Sequence, residues 1–231
     1  SRLNFNGGRL IAGAAGSLVS GLGTVVLNGP AYISTTQTNS SISTVIADAT
    51  GIGSLTKEGT GTLILSNANT YTGTTNVNAG TLALDYTIVG SKLADTSTLT
   101  LGGGTLNLRN GAVSLVEVVG STSLNAGLSQ VTQTTSASTL RANTITPGIG
   151  VVNFGAANIA DTDNLNDASD AGGILGAWAT VGGLDWAINS TGTADGAITA
   201  YTGYTSYNPY GSTLANNAAN HTTISHRRAF G

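Results

Sequence analysis

The sequence predicts an all-β fold built as a parallel β-solenoid, and three observations predict it. Short bursts of period-2 alternation recur along the chain, each closed by glycine or asparagine. The bursts resemble one another, as stacked repeats do. Charged residues make up only 8% of the 231 residues, against roughly 25% in an average soluble protein.

Taken in order, the first unit is Leu3-Asn4-Phe5-Asn6-Gly7-Gly8-Arg9-Leu10, two alternating bursts around a glycine turn. Thr62-Leu63-Ile64-Leu65 is a second burst, followed by Ser66-Asn67-Ala68-Asn69. Thr81-Leu82-Ala83-Leu84 is entered through Asn78-Ala79-Gly80. The stretch from Leu99 to Leu108 packs two bursts around Gly102, Gly103 and Gly104, on almost the plan of residues 3–10. Val113 to Val119 is the most apolar run, and its β-branching suits a buried strand. No segment holds apolar residues at i, i+3, i+4 and i+7 for three turns, so a helical domain is not expected. Organisation changes near residue 155. Residues 1–155 read as solenoid repeats, and 156–231 as a continuation of the same stack with an acidic loop and a Trp/Tyr-rich segment.

A solenoid is preferred to a β-sandwich because self-similar units cannot bury their apolar face alone and must stack on neighbours. Stacking also explains the surface: Thr, Ser and Asn suit columns in which Lys or Glu would repel. At about 20–25 residues per coil and roughly 4.8 Å between coils, the expected rod is about 45–55 Å long. The net charge of −3 and scattered basic residues give no phosphate-binding surface, so nucleic acid is not an expected partner. Cysteine is absent, which excludes disulfides and thiolate metal sites. No apolar run is long enough to span a bilayer as a helix.

Residues 51–84 resemble the autotransporter-associated β-strand repeat. The matching features are Leu55-Thr56-Lys57 with Gly59 and Gly61, then Leu63 and Leu65, then Asn69-Thr70-Tyr71-Thr72-Gly73-Thr74-Thr75, and finally Val77-Asn78-Ala79-Gly80-Thr81-Leu82. The resemblance implies a right-handed parallel β-helix on the outside of a bacterial cell, serving as a passenger stalk, adhesin or matrix protein. Gly59, Gly61 and Gly80 are expected at tight corners. Asn67, Asn69 and Asn78 are expected to bond neighbouring backbone groups, and Tyr71 to lie flat over the turn.

Candidate sites are few. Asp161, Asp163, Asp167 and Asp170 form the densest acidic run and are the calcium candidate, since calcium takes six to eight oxygens. The run departs from the EF-hand pattern at Leu165, and a solvated loop is the competing reading. Otherwise no cofactor is expected. Tyr201, Tyr204, Tyr207 and Tyr210 are the candidate aromatic platform for a glycan, against packing over the coils. Asp48, Glu58, Asp85, Asp95 and Glu117 are too scattered to mark a carboxylate pair, so catalysis is not expected. The expected function is a structural stalk or fibre segment of an extracellular surface protein. It would stack end to end on copies of itself or on adjoining repeats, with an adhesin and then a polysaccharide-cleaving enzyme as the alternatives.

Overall fold

A computed structural model describes residues 1–111, 113–167 and 173–203. Its strands fall into about eight stacked coils. The first coil holds β1 (Arg2–Phe5), β2 (Gly8–Ala12) and β3 (Gly16–Ser17). The second holds β4 (Thr24–Leu27), β5 (Pro30–Thr35) and β6 (Ser40–Ile42); the third holds β7 (Val45–Asp48), β8 (Ser54–Glu58) and β9 (Thr62–Leu65). Coils four and five have two strands each, β10 (Thr75–Val77) with β11 (Thr81–Asp85), and β12 (Thr98–Leu101) with β13 (Thr105–Arg109). Coil six holds β14 (Val116–Val118), β15 (Ser121–Leu124) and β16 (Leu128–Thr134). Coil seven holds β17 (Thr139–Arg141), β18 (Ile145–Pro147) and β19 (Val151–Phe154). Coil eight contributes β20 (Ala160–Thr162) and β21 (Ala179–Val181), and a hairpin of β22 (Asp185–Asn189) and β23 (Gly196–Ala200) follows.

Every strand from β1 to β21 pairs in parallel with the strand one coil away. Three faces result. The second runs β2-β5-β8-β10-β12-β15-β18 and the third runs β3-β6-β9-β11-β13-β16-β19-β21. The first face is β1-β4-β7 at one end and β14-β17-β20 at the other, with no strand in the two-stranded coils between.

Because side chains alternate along a strand, in-register pairing turns each sequence burst into columns. On the third face Leu63, Leu82, Leu106, Val131, Phe154 and Val181 stack inward, one per coil. On the second face Leu10, Ile33, Lys57, Val77, Leu101 and Leu124 form one column. These columns belong to one continuous core, and each fully buried Leu in them contributes roughly 1.5–3 kcal/mol. Outward positions are polar and bond along the stack, as Asn107 does to the Thr132 hydroxyl at 2.9 Å and Asn76 to the Thr56 hydroxyl at 3.2 Å. Corner glycines behave as expected. Gly59 and Gly80 have φ of 71° and 60°, and a Cβ on Gly80 would run into the carbonyl oxygens of Gly59 and Gly61.

Three expectations need correction. Tyr71 does not lie over the turn: it is fully buried, its hydroxyl 2.7 Å from the Thr75 hydroxyl, because it fills the first face where coil four has no strand. The Val113–Val119 run is not an apolar buried strand. Only Val116–Val118 is strand, Val116 is exposed, and Glu117 points inward for reasons given below. Among the described residues the rod is shorter than expected, about 38 Å for eight coils, because their parallel stacking ends at Val181 and the hairpin of β22 and β23 runs antiparallel.

Candidate functional site

Buried polar side chains recur along the stack, and the repeat at residues 51–84 contributes Lys57 and Asn69. Lys57 sits in the aliphatic column between Ile33 and Val77 and is fully buried. Its Nζ donates to the carbonyls of Glu58 (2.6 Å), Gly59 (2.8 Å) and Ala79 (3.1 Å), closing the corner between the second and third faces. Burial lowers its pKa to about 8, with the Glu58 charge opposing the drop, so the ammonium persists at neutral pH. Asp48 ties two coils at another corner. It accepts from the Gly53 amide (2.8 Å) through one oxygen and from the Thr72 amide and hydroxyl (2.8 and 2.6 Å) through the other.

The gap in the first face is filled by side chains that imitate peptides. Asn69 Oδ1 accepts from the Ile46 amide at 2.9 Å, and its Nδ2 donates to the Lys92 carbonyl at 2.8 Å. One carboxamide thus carries the ladder from coil three to coil five. Glu117 continues it from the other side. Its carboxylate accepts from the amides of Lys92 and Leu93, the Ser91 hydroxyl and the Tyr86 hydroxyl, all within 2.6–3.0 Å. Burial raises the Glu117 pKa and these donors hold it down, the net shift being upward. Burial and the nearby Glu117 charge push the Tyr86 phenol up as well. Lys92, whose pKa burial lowers, donates to the Ile88 carbonyl at 2.7 Å. Asp85 is pushed up by burial, but hydrogen bonds from Thr87 and Asn110 and the Arg109 charge leave it below its ordinary value.

The acidic run lies where the coils end. Asp161 and Asp163 face Arg141 of the preceding coil at 3.9 and 3.6 Å, and Asp195 from the hairpin pairs with the same guanidinium. Arg141 is thus the charge partner of three of these aspartates, Asp161, Asp163 and Asp195. Burial nonetheless raises the Asp161 pKa, against the Arg141 attraction. Asp167 is exposed, its backbone amide bonded to the Ile174 carbonyl at 2.7 Å, and Asp170 lies outside the described residues. Among the described residues no three His, Cys, Asp or Glu side chains group as a metal-binding set. Of the tyrosine candidates only Tyr201 is described. Its hydroxyl donates to the Gly203 carbonyl at 2.8 Å and its amide to the Trp186 carbonyl. Tyr204, Tyr207 and Tyr210 lie outside the described residues. Trp178 packs against the core.

Sequence reading identified the glycine corners and Asn69. It missed the inward Lys57 and Glu117, whose only signal is a charged residue in phase with the buried positions of its neighbours.

Residues 55–84 match the passenger-associated transport repeat family. A stretch of 98 residues is 37% identical to the adhesin BmaC autotransporter of Brucella suis biovar 1 (strain 1330). That stretch is 42% of this chain and 2% of the adhesin's length. No solved structure gives a significant match.

Proposed function

We propose that this chain is a non-catalytic stalk segment of a protein exported to the bacterial cell surface. The observation that carries the reading is where the buried and half-buried polar groups point. Lys57, Asp48, Asn69 and Glu117 each bond backbone groups, chiefly of neighbouring coils or corners, so their chemistry serves stacking. The transport-repeat match and the similarity to an autotransporter adhesin support export. Adjoining repeats or a second copy are the natural stacking partners. Their site is the edge of β1, β2 and β3, each paired on one side among the described residues. No cofactor is required, and EDTA should leave the melting temperature unchanged.

The reading is tested by inserting an epitope in the exposed turn at Ser20 of the protein produced in a Gram-negative cell. Protease added to intact cells should remove the epitope. An epitope digested only after lysis would sink the export reading. A second reading, an adhesin that binds glycans through the Tyr201–Tyr210 segment, is favoured by the adhesin character of the relative. Glycan-array binding lost in Tyr204→Ala/Tyr207→Ala would support it, and an array without signal would retire it.

A further inference from the structure

Two of the three faces end on a strand whose outward edge another strand occupies. The first face ends at β20, whose edge is taken by β23 through Asp161 opposite Ala197 and Thr162 opposite Gly196. The third face ends at β21, whose edge is taken by β22 through Thr180 opposite Trp186 and Val181 opposite Asp185. β22 and β23 pair with each other, so the hairpin itself leaves no free edge. Its inward residues Ala187 and Ile198 join the core as a lid.

Among the described residues the second face ends at β18 without a covering strand, and side chains close it. Asn164 Oδ1 accepts from the Ile145 amide at 2.6 Å while its Nδ2 donates to the Ile145 carbonyl at 2.8 Å. Two positions on stands Pro147. The Gly148 amide bonds back to Leu124, so in a parallel ladder Ile145 and Pro147 share the outward side. A proline nitrogen offers no donor there. An incoming strand would find one residue already bonded and the next without an N–H.

Specific residues hold the lid in place. Asn189 is buried, and its Nδ2 lies 2.7–3.2 Å from the carbonyls of Thr162, Asn164 and Thr193. Its Oδ1 accepts from the amides of Thr191 and Gly192 at 3.0 Å each. Its own backbone pairs with the Asn166 carboxamide at 2.7 and 2.8 Å. Gly196 makes room for it, since a Cβ there would occupy the Asn189 carboxamide. Arg141 ties Asp195, at the hairpin turn, to coil seven.

The geometry points to a built-in stop: Asn164 and Pro147 at β18, with the β22–β23 hairpin, close this end of the rod against further parallel stacking, so coils or copies add only from the β1–β3 side. This narrows the stacking partner proposed above and rests on the fold alone, independent of export. Opening the hairpin would turn a closed end into a self-association surface for the β1–β3 edge of a second copy.

The test uses the whole chain, whose lack of cysteine permits single reporters. Ala177→Cys marks the β21 end of the third face and Gly13→Cys marks the matching place just before β3 on the same face. Gly196→Val and, separately, Asp195→Lys open the lid, and hydrogen exchange across 185–200 reports opening. The parent should give no cross-link between the two reporters in mixed samples. The variants should lose protection in 185–200, keep it in 121–154, cross-link Ala177→Cys to Gly13→Cys, and shift to two or more chain masses in sedimentation. An opened lid with a strictly monomeric variant overturns the inference. So does a parent that cross-links as well as the variants, or a lid that stays protected in both.

Discussion

Replacing Asn69 with Ala should destabilise the middle of the rod by about 2–6 kcal/mol. The wild-type carboxamide satisfies two buried backbone groups, the Ile46 amide at 2.9 Å and the Lys92 carbonyl at 2.8 Å. Alanine leaves both without a partner, and each unsatisfied buried group costs about 1–3 kcal/mol. Asn69→Asp separates the two halves of the effect. It keeps an acceptor for Ile46 but sets a carboxylate against the Lys92 carbonyl, so it should cost at least as much at neutral pH and less in acid. The assay is urea unfolding followed by circular dichroism, with hydrogen exchange at Ile46 as the local readout, because repeat stacks need not unfold in one step. Ile46 protection should fall at least tenfold in Asn69→Ala while Leu106 protection changes little. A loss below about 0.5 kcal/mol with Ile46 still protected would refute the idea that a side chain carries the ladder across the gap.

Other consequences can be measured on the same protein. Lys57 has a folded pKa of about 8, below its ordinary value of 10.5, so its contribution is present above 10.5 and lost as pH falls through 8. Stability should therefore rise from pH 8 toward pH 10, by roughly 3 kcal/mol at most and about half that after solvent polarisation. Lys57→Met should shrink this rise, and an unchanged slope in denaturant titrations would count against the buried ammonium. Leu106→Ala empties one position of the third-face column and should cost about 2–5 kcal/mol; a loss under 1 kcal/mol would mean that the column is not packed. Gly80→Ala forces a Cβ into a positive-φ corner against two carbonyls of the preceding coil, and should cost more than about 1 kcal/mol. A neutral result in thermal melts would contradict the corner geometry.

Much of the coil architecture was legible because alternation and corner chemistry are local. Thr62–Leu65, Thr81–Leu84 and Leu99–Leu108 became β9, β11, and β12 with β13, and Gly59 and Gly80 turned out to need their positive φ. What escaped depends on the neighbouring coil. Whether Glu117 faces in or out is decided by the amides of Lys92 and Leu93, some 25 positions earlier. Lys57 bonds two carbonyls at the end of its own strand, but the third, Ala79, comes from the next coil. The calcium candidates illustrate the same point: two of the four aspartates face Arg141, which is distant in sequence and one coil away in space. The antiparallel lid was hidden because β22 and β23 alternate like any other strand, and nothing local sets their direction.

In-register parallel stacking is tested most directly by spin-label distances along one outward column. Thr62, Thr81, Thr105, Gln130, Asn153 and Thr180 occupy equivalent positions in successive coils. With Thr62→Cys as the fixed site, labels at Thr105, Gln130, Asn153 and Thr180 should lie about 10, 14, 19 and 24 Å away, one step of roughly 4.8 Å per coil. A linear series by electron paramagnetic resonance is the predicted result. Distances that fail to grow with coil number, as in a hairpin-built sandwich, would contradict the fold and all that is argued from it.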